Sequence, residues 1–274
     1  MKSLDSSGNP IAMVQSLFRY RSLVDQLIRR EIAIRYRGSF LGVLWSFITP
    51  ILMLTIYTFV FGVVFKSRWR SDSTDQLEFA VVMFAGVVVH GFISECLTRA
   101  PSLIVNNANF VKKVVFPLEV LAWVSVGAAL FHALIAMVIF AVAVFIWQGH
   151  IIFSALLVPL IFLPYIVLVV GLTWFLASLG VFLRDLGQIM GIVSSMLMFM
   201  APVFYSLKSV PEGLVPFLYL NPITFVVEQV RNAAIWGRPV DWVGWAVYSL
   251  VAYAIAWAGR ASFVRMSRGF ADVL

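Results

Sequence analysis

The sequence predicts an all-α integral membrane protein with six transmembrane helices, an N-terminal amphipathic interface helix and short re-entrant helices before the last span. Three observations carry this reading. Hydrophobic residues fill 62% of the 274 positions, charged residues only 12%, and the mean hydropathy is +0.96. So little polar surface cannot cover a water-soluble domain of this length. Apolar stretches of about 20 residues, the number that crosses a hydrocarbon core of roughly 30 Å at 1.5 Å per residue, recur along the chain. Their apolar residues run continuously or at helical spacing, whereas barrel strands would alternate over about ten residues. The chain divides into a basic head, residues 1–39, and a transmembrane domain, residues 40–274.

In the head, Val14, Leu17, Phe18, Val24, Leu27 and Ile28 recur at helical spacing with arginines between them, which predicts an amphipathic helix over 14–37 lying on the membrane surface. It serves either as an anchor on anionic lipid or as a docking surface for a partner. The first span, 40–65, begins far from the N-terminus with no small-residue cleavage site after a short apolar region, so it stays in place as an anchor. The second, 79–96, carries His90 and Glu95. Glu95 stands four residues before Arg99, the spacing of an intrahelical ion pair at the membrane boundary.

Residues 98–117 form a loop that ends in the basic run FVKKVVFP, with room for a short helix between Pro101 and Pro117. It too reads as an anchor or a docking surface. Spans three and four, 120–147 and 157–183, are separated by the polar patch Gln148, Gly149, His150, and spans five and six cover 189–205 and 242–264. His132, in mid-span, reads as a packed, hydrogen-bonded residue.

Residues 206–241 are largely apolar, yet Pro211, Pro216, Pro222 and Pro239 forbid one continuous helix. Asn221 suits a helix cap, Pro222 the first helical position, and Gly237 with Pro239 the far end, so a helix of about 22 Å runs over 222–236. That is too short to cross. Glu228 and Arg231, three apart, pair with each other and lessen the cost of an apolar setting. The segment is expected to dip into the outer leaflet and return, and irregular backbone at that depth borders a pathway or packs in protein.

Of the 20 Lys and Arg residues, 14 fall in the head, the loops after spans two and four, and the tail; the remaining six sit with six acids on the other side. Positive residues flanking spans are retained in the cytoplasm, so both termini are expected there. The net charge of +7 is then a signal of topology and calls for no nucleic acid partner. Cys96, the single cysteine, lies inside a span and can form neither an intramolecular disulfide nor a cysteine-based metal site.

No Gly-Lys pair exists, which excludes a phosphate-binding P-loop. Glu95, Glu119 and Asp185 are scattered, as are His90, His132 and His150, so no catalytic or metal-binding set is expected. Aromatic residues make up 15% of the chain. They serve interfacial belts, or they line a duct along which the apolar faces of sugar rings slide.

The segment LIRREIAIRYRGSFLGVLWSFITPI, with Arg35, Tyr36, Arg37, Ser39, Leu41, Gly42, Trp45 and Pro50, is the most specific in the chain. With NPITFVVEQVR, FVKKVVFPLEVL and the Arg184, Asp185 pair, it resembles the ABC-2 type permeases that export bacterial surface polysaccharides: O-antigen, capsule and teichoic acid. The resemblance covers essentially the whole chain. It implies a homodimer in the bacterial inner membrane, carrying two copies of a cytoplasmic ABC ATPase. ATP and Mg would sit on that partner, with no cofactor in this chain.

In such a permease the head helix and the 98–117 loop couple to the ATPase, the loop through Asn106, Asn107, Phe110, Lys112 and Lys113. Residues 206–241 form a periplasmic gate with Asn221, Pro222, Glu228 and Arg231. A glycan on undecaprenyl diphosphate passes between the two copies. By position, Tyr36, Phe40, Trp45, Phe199, Phe204 and Tyr205 face its duct. Arg29, Arg30, Arg35 and Arg37 stand where the diphosphate arrives, and guanidinium groups suit phosphate oxygens, though orientation and contact with membrane lipids would equally explain them.

The short outer loop, 66–78, separates the chain from ABC-2 drug, lipid or haem exporters with larger external domains. The absence of a long N-terminal extension favours O-antigen over capsule or teichoic acid export. A membrane enzyme of lipid-linked glycan synthesis would share the composition but need a carboxylate cluster, and a scaffold subunit would not require the proline-broken hairpin.

Overall fold

The computed structural model describes residues 12–66, 69, 76–111 and 116–274, and every regular element among them is helical. The head forms two helices, α1 (Ala12–Arg19) and α2 (Arg21–Tyr36), where one was expected, because the backbone at Tyr20 leaves the helical range (φ −108°, ψ 18°). Val24 is buried against Val120 and Val124, with Leu17, Leu23, Leu27 and Ile28 beside it. The apolar stripe of α2 is therefore covered by protein while its arginines stay exposed.

The first span is not one regular helix. A 3₁₀ turn, Gly42–Leu44, leads into α3 (Trp45–Tyr57), which continues as a π-helical segment, Thr58–Val64. That rare wider winding accompanies the seating of Phe61 against Phe79 and Phe204, with ring centroids 5.6 and 6.0 Å away.

Helix α4 (Gln76–Arg99) is the axis of the bundle. Its apolar window is 78% buried, whereas that of the first span is 6% buried. Two 3₁₀ turns, Ala100–Ser102 and Val105–Asn107, and the single turn α5 (Ala108–Val111) follow. Helix α6 (Val120–Gln148) ends at Gly149, whose positive φ of 75° lets its N–H cap the Phe145 carbonyl at 2.8 Å. A 3₁₀ turn, Phe153–Leu157, opens α7 (Val158–Phe182), which is followed by α8 (Leu186–Met200).

A bent hairpin contains α9 (Val215–Leu218) and α10 (Pro222–Ala234), and the chain closes with α11 (Trp242–Met266) and α12 (Phe270–Val273). Among the described residues five helices are long and apolar enough to cross a membrane, or six if the bent pair Glu212–Leu218 and Pro222–Ala234 counts as one span. That pair turns by 104°. Helix α8, expected as a span over 189–205, has 15 residues and is about 22 Å long. It stops at Met200 because Ala201, preceding Pro202, is extended (φ −92°, ψ 154°).

Helices α7 and α11 approach backbone to backbone at Gly171 and Gly259, where a Cβ on Gly171 would stand 2.8 Å from the Ala256 nitrogen. Small residues at such a contact allow the dense packing that joins helices in lipid. The pair is also bridged to α6: Arg260 of α11 donates to Glu119 from Nη2 at 2.9 Å and from Nε at 3.1 Å. Trp174 of α7 donates to the Glu119 carbonyl at 2.9 Å.

Candidate functional site

Helix α2 leads into the first span through a tight elbow in which Gly38 (φ 83°) and Gly42 (φ 54°) adopt left-handed backbone. This turn places Arg35 and Tyr36 above the start of α3. Below them, α3, α4 and α6 diverge around a cavity of about 340 Å³, lined by Arg35, Tyr36, Trp45, Glu95 and His132 at its polar end. Met53, Phe84, Val87, Val88 and Phe92 supply its apolar wall.

The polar end is a charge network. Glu95 on α4 accepts from Arg35 Nη1, and His132 Nδ1 on α6 lies 3.0 Å from Glu95 Oε2 and 3.0 Å from the same Arg35 nitrogen. Arg99 approaches Glu95 to 3.5 Å through Nη1 and Glu31 of α2 to 3.4 Å through Nη2. The expected intrahelical pair of Glu95 with Arg99 thus exists but is the longest of the carboxylate's contacts; its main partners come from two other helices. Three elements are cross-linked here, and in a low-dielectric setting such a cluster holds only when its members are mutually satisfied. The ring of Tyr36 stands edge-on to His132 at 6.0 Å.

A second polar seam joins α4 to α8. Ser194 Oγ donates to Ser94 Oγ at 2.6 Å and lies 3.2 Å from His90 Nε2, which is 3.0 Å from the Ser194 carbonyl.

The arginines chosen from the sequence lie in different settings. Arg30 and Arg37 line an open groove with Ile34, Tyr36 and Gly42 on the outer side of the elbow. Arg29 is paired with Asp25 at 2.9 Å in an exposed i, i+4 contact. Only Arg35 enters the cavity. The aromatic set divides likewise. Tyr36 and Trp45 line the cavity, while Phe199, Phe204 and Tyr205 gather at the other end of the first span. There Phe204 packs on Phe199 at 5.7 Å, and Tyr205 Oη donates to the Phe199 carbonyl at 3.4 Å. Phe40 is fully exposed at the elbow, away from both groups.

Asn107 and Phe110 line a narrow cleft with Leu27, Arg30, Glu31 and Leu103, which sets the 98–117 loop against α2. Asn107 donates to the Leu103 carbonyl at 2.9 Å, Phe110 stacks on Phe116 at 4.3 Å, and Asn106 is exposed. Lys112 and Lys113 lie outside the described residues.

At the opposite end, Asn221 Oδ1 accepts from the Ile223 N–H at 3.1 Å and caps α10, with Pro222 at the first position. Asn221 Nδ2 also donates to the Leu197 carbonyl of α8 at 2.8 Å. Glu228 and Arg231 pair at 3.1 Å. The fully buried Arg231 guanidinium further donates to the carbonyls of Val82, Pro202 and Val203, and it lies 4.4 Å from the centre of the Trp69 ring. Sequence spacing reveals the Glu228 pair alone; the carbonyl partners lie 28 to 149 residues away.

The model of the family described as ABC-2 type transporter matches residues 22–235. O-antigen export system permease protein RfbA of Myxococcus xanthus is 27% identical over 264 residues, covering 96% of this chain and 99% of the relative. RfbA of Klebsiella pneumoniae is 22% identical over 265 residues, again 96% and 99%. The polysialic acid transport protein KpsM of Escherichia coli is 25% identical over 231 residues, 82% of this chain and 86% of the relative. The matched segment begins within α2, spans the cavity and its charge network, and ends just past α10, and on that match this multi-pass membrane protein belongs to the ABC-2 type transporter family.

Proposed function

We propose that this chain is the permease subunit of a bacterial polysaccharide exporter, with O-antigen as its cargo. The reading rests above all on its end-to-end similarity to O-antigen export permeases, which covers 96% of the chain, while the polysialic acid and capsule polysaccharide relatives cover 82% and 80% of it. In this reading two copies form a homodimer in the inner membrane with both termini in the cytoplasm, and each carries a separate ABC ATPase. The cargo is a glycan on undecaprenyl diphosphate. The cleft of Asn107 and Phe110 against α2 is where ATPase movement enters, and the basic elbow of Arg30, Arg35 and Arg37 receives the diphosphate. The hairpin of α9 and α10 closes the periplasmic mouth. Aromatic rings at both ends of the first span offer the glycan weak, repeated stacking contacts along which it moves.

Depletion of this chain in its host is the direct test. Full-length lipid-linked glycan is expected to accumulate on the cytoplasmic leaflet while the cell surface loses it. Loss of polymer synthesis itself would instead make the chain an enzyme of glycan assembly and overturn the reading.

A further inference from the structure

The polar end of the cavity between α3, α4 and α6 is incompletely matched. Arg35 engages both Glu95 and His132 through Nη1 alone, and its Nε and Nη2 donate to no other group among the described residues. His132 Nε2 is buried without a hydrogen-bond partner among them. Glu95 therefore answers Arg35 and His132 and shares Arg99 with Glu31, while one edge of the Arg35 guanidinium and the buried Nε2 of His132 have no partner among the described residues. A phosphate ester in place of Glu95 would bring enough oxygens for the Arg35 guanidinium, which presents its donors as a planar fork, and for His132 Nδ1. Beyond the charges the wall is hydrocarbon, with Met53, Phe84, Val87, Val88 and Phe92. A ligand fitting the whole cavity has an anionic phosphate head and an apolar chain.

We infer that Glu95 is an internal counter-anion that holds Arg35 when the cavity is empty, and that a phosphate-headed lipid displaces it. The head then takes Arg35 and His132, and the hydrocarbon chain lies along the α3, α4 and α6 wall. The displaced Glu95 turns to Arg99, one helical turn away. Arg99 also pairs with Glu31, so occupancy of the cavity is felt on α2. This inference rests on the proposed export of a lipid-linked cargo and adds the device that gates its entry.

The test uses the full-length chain in phosphatidylcholine nanodiscs with radiolabelled farnesyl diphosphate as probe, and inorganic pyrophosphate and farnesol as competitors. Wild type is expected to bind the probe, with pyrophosphate competing about tenfold more weakly and farnesol not competing. Glu95→Gln should bind about tenfold tighter, because the competing anion is gone, and Arg35→Gln should lose binding. If Glu95→Gln does not insert, Glu95→Asp, whose carboxylate stands one methylene farther from Arg35, must show about a threefold gain. Unchanged or weaker binding by the inserted Glu95 variant overturns the inference, as does pyrophosphate competing equally with the lipid. If those results coincide with glycan stranded inside on depletion, the latch fails and the export reading stands. If the predicted affinity order holds while depletion leaves export intact, the latch stands and the export reading falls.

Discussion

Arg231 of α10 donates through Nε to the carbonyl of Val82 on α4 at 2.9 Å, joining the hairpin helix to the axis of the bundle across 149 residues of sequence. Its Nη1 and Nη2 hold the carbonyls of Pro202 and Val203, where α8 gives way to the hairpin. One guanidinium thus ties three segments. Arg231→Met would leave Glu228 without its cation and three carbonyls without their donor, and should cost about 3–5 kcal/mol. Arg231→Lys keeps the charge but not the fork, and should cost less. Thermal unfolding in detergent micelles, with Arg231→Met melting well below Arg231→Lys, is the expected order.

The contact of Gly171 with Gly259 is backbone on backbone, so no side chain can yield to a new methyl group there. Gly171→Ala or Gly259→Ala should force α7 and α11 apart and cost about 3 kcal/mol. Gly191 on α8 is the control, since nothing lies within 4 Å of where its Cβ would stand. Gly191→Ala should not destabilise the monomer and should gain up to about 1 kcal/mol from helix propensity. Equal melting of all three variants would show that the approach of α7 and α11 is not tight.

What was legible in the sequence follows how local each feature is. The cap and first turn of α10 are set by adjacent residues, Asn221 and Pro222, and the end of α6 by Gly149. Such signals survive without knowledge of the fold. The partners of Glu95 were hidden because Arg35 and His132 lie 60 and 37 residues away, and only the rotation of α4 and α6 about their axes brings them together. The end of α8 was misplaced because Val203, Phe204 and Tyr205 prolong the apolar run past Met200, so hydropathy has no mark where the helix stops. The π winding of Thr58–Val64 left no trace either, since TFVFGVV suits an ordinary apolar helix as well.

Arg260 is buried in the last span and anchored on Glu119 at the start of α6. Removing one charge of such a pair costs more than its own contacts, whereas removing both relieves part of that cost. Glu119→Gln and Arg260→Gln should each cost about 2 kcal/mol, and the double variant should cost less than their sum by about 1–2 kcal/mol. Additive losses in a double-mutant cycle of unfolding in mixed micelles would show that the pair contributes nothing beyond its separate packing.

Asn221 performs two tasks that substitutions can separate. Its Oδ1 caps α10 at the Ile223 N–H, and its Nδ2 fastens the hairpin to the Leu197 carbonyl of α8. Asn221→Asp keeps a capping oxygen but has no donor, and Asn221→Ser keeps a capping oxygen on a side chain too short to reach the Leu197 carbonyl, so the helix should remain while its tie to α8 is cut. Asn221→Ala loses both, at about 1 kcal/mol for the cap and about 1 kcal/mol for the tie. Amide hydrogen exchange distinguishes them: Asp and Ser should raise exchange near the end of α8 while the first turn of α10 stays protected, and Ala should raise both. Protection lost equally at both places in all three variants would mean that cap and tie open as one unit.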